Sequence, residues 1–134
     1  DQAAALELLR EPHVGVLAVA TDGSPAAVPL WYDCAPDGSE IWILTGPGTR
    51  KASWLERGRS ATLVVQTVAQ DPLVSVDLEL SDRRTAESDD VRSMAGRYLE
   101  GVALEGYLEF AAEHLKEERY TFRPTRWPFA DLTV

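Results

Sequence analysis

A chain of 134 residues, 45% hydrophobic and 26% charged, lies in the ordinary globular range, so one compact domain is expected over residues 1–134. Its formal net charge of -9, with no basic stripe, argues against a nucleic-acid partner, and its longest apolar runs (14–20 and 61–65) fall far short of the roughly 20 residues that cross a bilayer. A single cysteine, Cys34, excludes an internal disulfide and a multi-cysteine metal site.

The first residue is Asp1, which leaves room for residues upstream, and nothing in the N-terminal segment has the layout of a secretion signal, so the cytoplasm is the expected compartment. Lys51 and Lys116 are the only lysines beside many arginines, and asparagine is absent, a bias typical of a GC-rich bacterial genome.

In chain order, residues 3–10 carry Leu6, Leu8 and Leu9 among good helix formers, and Pro12 stops the pattern; a short helix lidding the core is expected. Residues 14–21 and 26–34 are β-type runs around Asp22-Gly23-Ser24-Pro25 and predict a hairpin. Pro29 cannot donate to a ladder, so the second run must be an edge or bulge there. After the turn at Ala35-Pro36-Asp37-Gly38, residues 41–45 form a third strand. A short helix follows over 52–57, ended by Gly58.

Strands four and five are expected at 60–67 and 73–80, separated by a loop holding Asp71-Pro72; in the fifth, Val74, Val76, Leu78 and Leu80 alternate with polar residues. Helical spacing over 88–99 and 107–115 predicts a helical pair. Residues 120–123 give a last short strand before a tail with Trp127, Pro128 and Phe129. The sum is mainly β with helices, an antiparallel barrel with helical additions.

Nucleophilic or metal chemistry has little to draw on. His13 and His114 are the only histidines and neither sits in a motif, so no catalytic residue and no metal ligand is named. Asp89-Asp90 and Glu117-Glu118 read as solvated helix faces and helix ends. Gly46-Pro47-Gly48-Thr49-Arg50-Lys51 differs, because small residues, a hydroxyl and two cations meet at a helix start, which outlines a phosphate site. The same pattern also reads as an ordinary turn with two solvated cations.

The order Val14-Gly15-Val16-Leu17-Ala18-Val19, Asp22-Gly23-Ser24-Pro25, Val28-Pro29-Leu30-Trp31-Tyr32 resembles the first hairpin of the pyridoxamine 5'-phosphate oxidase-like flavoproteins. Residues 41–45, then Thr49-Arg50-Lys51-Ala52, Leu55 and Ala61-Thr62-Leu63-Val64-Val65, are similar to that family's cofactor-phosphate strand, its Arg-Lys pair and the next strand. Gly96-Arg97-Tyr98-Leu99-Glu100-Gly101 and Phe122-Arg123-Pro124-Thr125-Arg126-Trp127 resemble a helix and final strand of short bacterial members.

The resemblance implies a six-stranded antiparallel split β-barrel and a homodimer with FMN at its interface, working as an oxidoreductase on a small organic substrate. Arg50 and Lys51 would meet the FMN phosphate and Thr49 would add a hydroxyl. Leu44 and Thr45 would line the site, the backbone of Ala27, Val28, Pro29, Leu30 and Trp31 would run along the ring, and Trp127 would reach the partner's cleft. The tail lacks the family's C-terminal Arg and His pattern, so vitamin B6 oxidation is not implied, and the glutamine of the family's fifth strand has no counterpart. Two alternatives stand beside FMN: coenzyme F-420, whose acidic tail Arg57 and Arg59 would attract, and a non-catalytic or haem-binding stress protein.

Overall fold

The computed structural model describes residues 2–58, 60–66 and 73–132, the side chains of 57, 58 and 128–132 excepted. The Asp71-Pro72 loop and the side chains of Arg57, Arg59, Pro128 and Phe129 lie outside that description. The element order is α1 (Gln2–Arg10), β1 (Gly15–Val19), β2 (Ala26–Leu30), β3 (Asp33–Cys34), β4 (Ile41–Thr45), α2 (Arg50–Gly58), β5 (Ser60–Gln66), β6 (Leu73–Thr85), α3 (Ser88–Tyr98), α4 (Gly101–His114) and β7 (Glu118–Leu132). All strands join one antiparallel sheet in the order β2-β1-β5-β6-β7-β4-β3.

That order makes β2 and β3 the two edges of the sheet, although only Trp31 and Tyr32 separate them in the chain. Leu30 and Asp33 therefore lie within about 10 Å of each other, the reach of three extended residues. The sheet must curl until its edges meet, and it is split where they meet. The expected six strands become seven among the described residues for this reason. The run read as one strand over 26–34 is broken at Trp31-Tyr32, where backbone pairing passes to a side chain: the Tyr32 N–H donates to the Tyr98 hydroxyl at 3.1 Å. The same hydroxyl lies 2.9 Å from the Tyr32 carbonyl and 2.8 Å from that of His13, sharing its one proton. Pro29 sits on an edge strand, opposite Val16, as its missing donor requires.

The core fills the curl. Val74, Val76, Leu78 and Leu80 of β6 face Leu63 and Val65 of β5, Leu17 and Val19 of β1, Ile41 and Ile43 of β4, and Tyr120 and Phe122 of β7. Ala5, Leu8 and Leu9 of α1 and Ala52 and Leu55 of α2 close it. Gly15 marks the tightest approach, since a Cβ there would stand 2.8 Å from Leu63 Cδ1 and 3.1 Å from the Tyr32 ring. Arg97 of α3 caps the end of α1, donating to the carbonyls of Leu9, Arg10 and Glu11 at 2.6, 2.7 and 2.8 Å, while its guanidinium also lies over the Tyr32 ring.

Strands β6 and β7 run well beyond the expected 73–80 and 120–123. Their pairing shifts register at several bulges, and Pro124 is accommodated opposite Leu78 between two of them. Asp90 corrects the reading of a solvated acidic pair. It is buried, accepts a fork of bonds from Arg84 at 2.7 and 2.9 Å and one from Arg119 at 3.0 Å, and caps α3 through the Glu87 N–H at 2.8 Å.

Candidate cofactor site

β4 delivers Leu44 and Thr45 to the 46–49 loop, which turns through Gly48 at φ +79° and starts α2. Thr49 caps that helix, its Oγ1 accepting the Ala52 N–H at 3.2 Å and lying 3.3 Å from the Thr45 Oγ1. No acidic residue occupies the first turn of α2, so the partial positive charge of the helix start is left for an anion. Arg50 is exposed there, while Lys51 is half-buried and faces a cavity.

This cavity, about 240 Å³, brings together Pro29, Leu30 and Trp31 at the barrel split, Leu44 of β4 and Lys51 of α2. α3 and α4 roof it with Met94, Ala95 and Tyr107. Trp31 is a fixed wall, stacked on Tyr98 with ring centroids 4.7 Å apart and planes 8° apart, and flanked by Tyr107 at 5.6 Å. Thr45, the last residue of β4, and Thr49, just before α2, are outside its lining, on the segment that joins Leu44 to Lys51. Ala27 and Val28 lie farther along the β2 edge, outside its lining. Trp127 is set apart: it packs against the core and borders a different pocket, with Leu6 of α1 and Gly38.

Sequence reasoning missed Tyr107 and Glu117. Glu117 is not a solvated helix end: α4 stops at His114, and Glu117 precedes β7 with its backbone carbonyl held by the Ala86 N–H at 2.9 Å. Its side chain lines the cavity, and Oε1 is buried with no hydrogen-bond partner. Burial pushes the Glu117 carboxyl above the ordinary range, with the Lys51 ammonium pulling it partly back. Burial likewise holds Lys51 below its usual range, against the pull of Glu117. No local signal marks Glu117, because its neighbourhood is made by β6 and α2, distant in the chain.

A phosphate would fit the α2 start and a planar apolar ring the wall of Trp31 and Leu44, but a flavin would extend past this one cavity. Among the described residues no cluster of His, Cys, Asp and Glu could hold a metal ion, and no helix is long and apolar enough to cross a membrane. The Cys34 thiol is pushed up by burial, the opposite of an activated nucleophile.

The fold is a split antiparallel barrel, with a cationic, acid-free helix start beside an aromatic-walled cavity. The family model described as pyridoxamine 5'-phosphate oxidase matches residues 2–127, and the chain belongs to that family. Solved structures similar in fold include the following three. An F420 reductase superimposes with a TM-score of 0.71 at 17% identity, covering 90% of this chain and 93% of its own. The general stress protein 26 of Bacillus anthracis gives 0.67 at 9%, covering 99% and 98%. A FAD-binding protein of Mesorhizobium loti gives 0.53 at 20%, covering 94% and 96%. No curated protein matches the sequence.

Proposed function

We propose that the protein is an FMN-dependent oxidoreductase that acts on a small organic substrate, as a cytoplasmic homodimer with the cofactor at the subunit interface. The observation that carries this reading is the pairing of Arg50 and Lys51 at the acid-free start of α2 with the cavity walled by Trp31 and Leu44. Bound flavin would supply hydride or electron transfer. The chain's own groups would bind and orient it: Arg50 and Lys51 the phosphate, Thr49 the helix start that faces it, and the 27–31 edge the ring. Trp127 would contribute from the partner. Support for a second copy comes from the unpaired β2 edge and from apolar side chains left in solvent, Val102 and Phe110 of α4 among them.

Similarity to an F420 reductase supports coenzyme F-420 as the second reading, since its phosphate would engage the same Arg50-Lys51 pair at the α2 start. Titration with FMN and with F-420, followed by quenching of tryptophan emission, decides between them. The double variant Arg50→Ala, Lys51→Ala should lower FMN affinity about twentyfold to several hundredfold, given about 1.5–3 kcal/mol for a charge-assisted contact at Lys51 and about 0.2–1 kcal/mol for the exposed Arg50. Riboflavin, which lacks the phosphate, should be little affected. Unchanged FMN affinity removes this segment as the phosphate site, and failure of both cofactors to bind removes the oxidoreductase reading.

A further inference from the structure

Glu117 belongs to two cavities. Besides the one beside Trp31, it lines a larger space of about 580 Å³ between α3 and α4, and Val91 is the other residue common to both. The surface of the larger space is mostly apolar, from Leu108, Ala111 and Leu115 of the α4 side and Val91 of α3, with the charged residues Glu87, Arg92 and Lys116 also on its lining, and none of the residues proposed to bind cofactor contributes to it. At the junction, Oε1 of Glu117 is buried without a hydrogen-bond partner. Buried polar atoms are rarely left unpaired, and a ligand site is one place where they are.

The geometry points to a substrate site here: a largely apolar small molecule lies between α3 and α4 and donates one hydroxyl or amide hydrogen bond to Glu117, with its donor end directed toward the Trp31 cavity. The charge balance supports this choice of occupant. Each lining carries as many cations as carboxylates, Lys51 with Glu117 around the smaller cavity and Arg92 and Lys116 with Glu87 and Glu117 around the larger, so a neutral molecule with a donor is what the site accepts. The raised proton affinity of Glu117 agrees with a carboxyl kept from water. The term substrate rests on the oxidoreductase reading; the binding itself does not.

The test uses the full chain without cofactor, titrated with naphthol and with naphthyl methyl ether, which has the same apolar body and no donor. Naphthol should bind saturably and about tenfold more tightly than the ether. Glu117→Ala should abolish that preference, and Glu117→Gln, which keeps an acceptor in the same shape, should retain part of it. Leu108→Trp should fill the apolar space and block both probes while FMN affinity stays unchanged. Equal affinities for the two probes, absence of naphthol binding, or a preference that survives Glu117→Ala overturns the proposal; the last would leave Oε1 to ordered water. If Glu117→Ala fails to fold, the two probes on the wild type and on Leu108→Trp still decide. Naphthol selectivity without binding of FMN or F-420 would sink the cofactor reading and keep this site, whereas cofactor binding without selectivity would do the reverse.

Discussion

Asp90 lies in the first turn of α3 and Glu117 just before β7, both carboxylates near the junction of the helical pair with the long β6–β7 ladder, yet their surroundings are opposite. Asp90 has a partner at every turn: the Arg84 fork, Arg119, and the N–H of Glu87. These bonds, the Arg84 fork above all, hold its carboxyl well below the usual carboxylate range. Glu117 has an orphaned oxygen, an ammonium that shares its cavity, and a carboxyl pushed the other way by burial. A saturated charge cluster is finished as structure, whereas an unsaturated one next to open space has capacity left for a ligand. The difference is measurable, because the two acids should respond with opposite signs to the same isosteric change.

The largest effect is expected from Asp90→Asn. Neutralising it leaves two guanidinium groups facing each other and weakens the α3 cap. Since Arg84 reaches solvent, we expect a loss of about 2–3 kcal/mol, toward the lower end for a broken buried pair. Urea denaturation measures it. The pH dependence follows from the depressed pKa: the advantage of wild type over the variant is full above the unfolded carboxylate value near pH 4 and shrinks as pH falls below it. A gap that stays constant down to pH 2 would mean that the cluster is not what holds this corner.

Tyr98→Phe comes next. It removes the hydroxyl that replaces strand pairing at the barrel split and leaves the Tyr32 N–H without its bond, at a cost of about 1–2 kcal/mol by the same measurement. The stacked contact with Trp31 stays in place, so cofactor affinity should change little. A large loss of cofactor affinity with unchanged stability would move Tyr98 from the scaffold to the site.

These residues also show where a sequence is readable. The 14–34 hairpin, the fifth strand and the loop into α2 are written in short-range signals: a turn between β-type runs, a period of two, glycines before a hydroxyl and two cations. The hairpin turn, the buried half of that fifth strand and the start of α2 stand where these signals put them, because their cause is local. The outer parts of β6 and β7 were not legible, since Ser81–Thr85 is polar and exposed and is held by pairing with residues 118–121 rather than by burial. The break at Trp31-Tyr32 was hidden because its replacement partner, Tyr98, is 66 residues away. Of the site, Leu44 through Lys51 could be read from spacing and resemblance. Asp90 and Glu117 could not be told apart, since both stand in acidic pairs in polar sequence and only the fold gives one its arginines and the other a cavity.

Glu117→Gln carries the smallest effect and the most specific sign. A carboxyl whose folded pKa lies above its unfolded value is stabilising while protonated and loses that contribution as pH rises through the folded value. Above the unfolded carboxylate value the group is therefore a burden to the fold, and the amide, which keeps the volume and needs no ionisation, should stabilise the ligand-free protein, with Lys51 offsetting part of the gain. The gain should fade below about pH 4, where wild type is protonated in both states. Paired denaturation curves at neutral and acidic pH decide the matter. A destabilised Glu117→Gln at neutral pH would place Glu117 with Asp90 as a structural acid. A stabilised one would mean that the native carboxylate is kept at some expense to the fold, the mark of a group retained for what it binds.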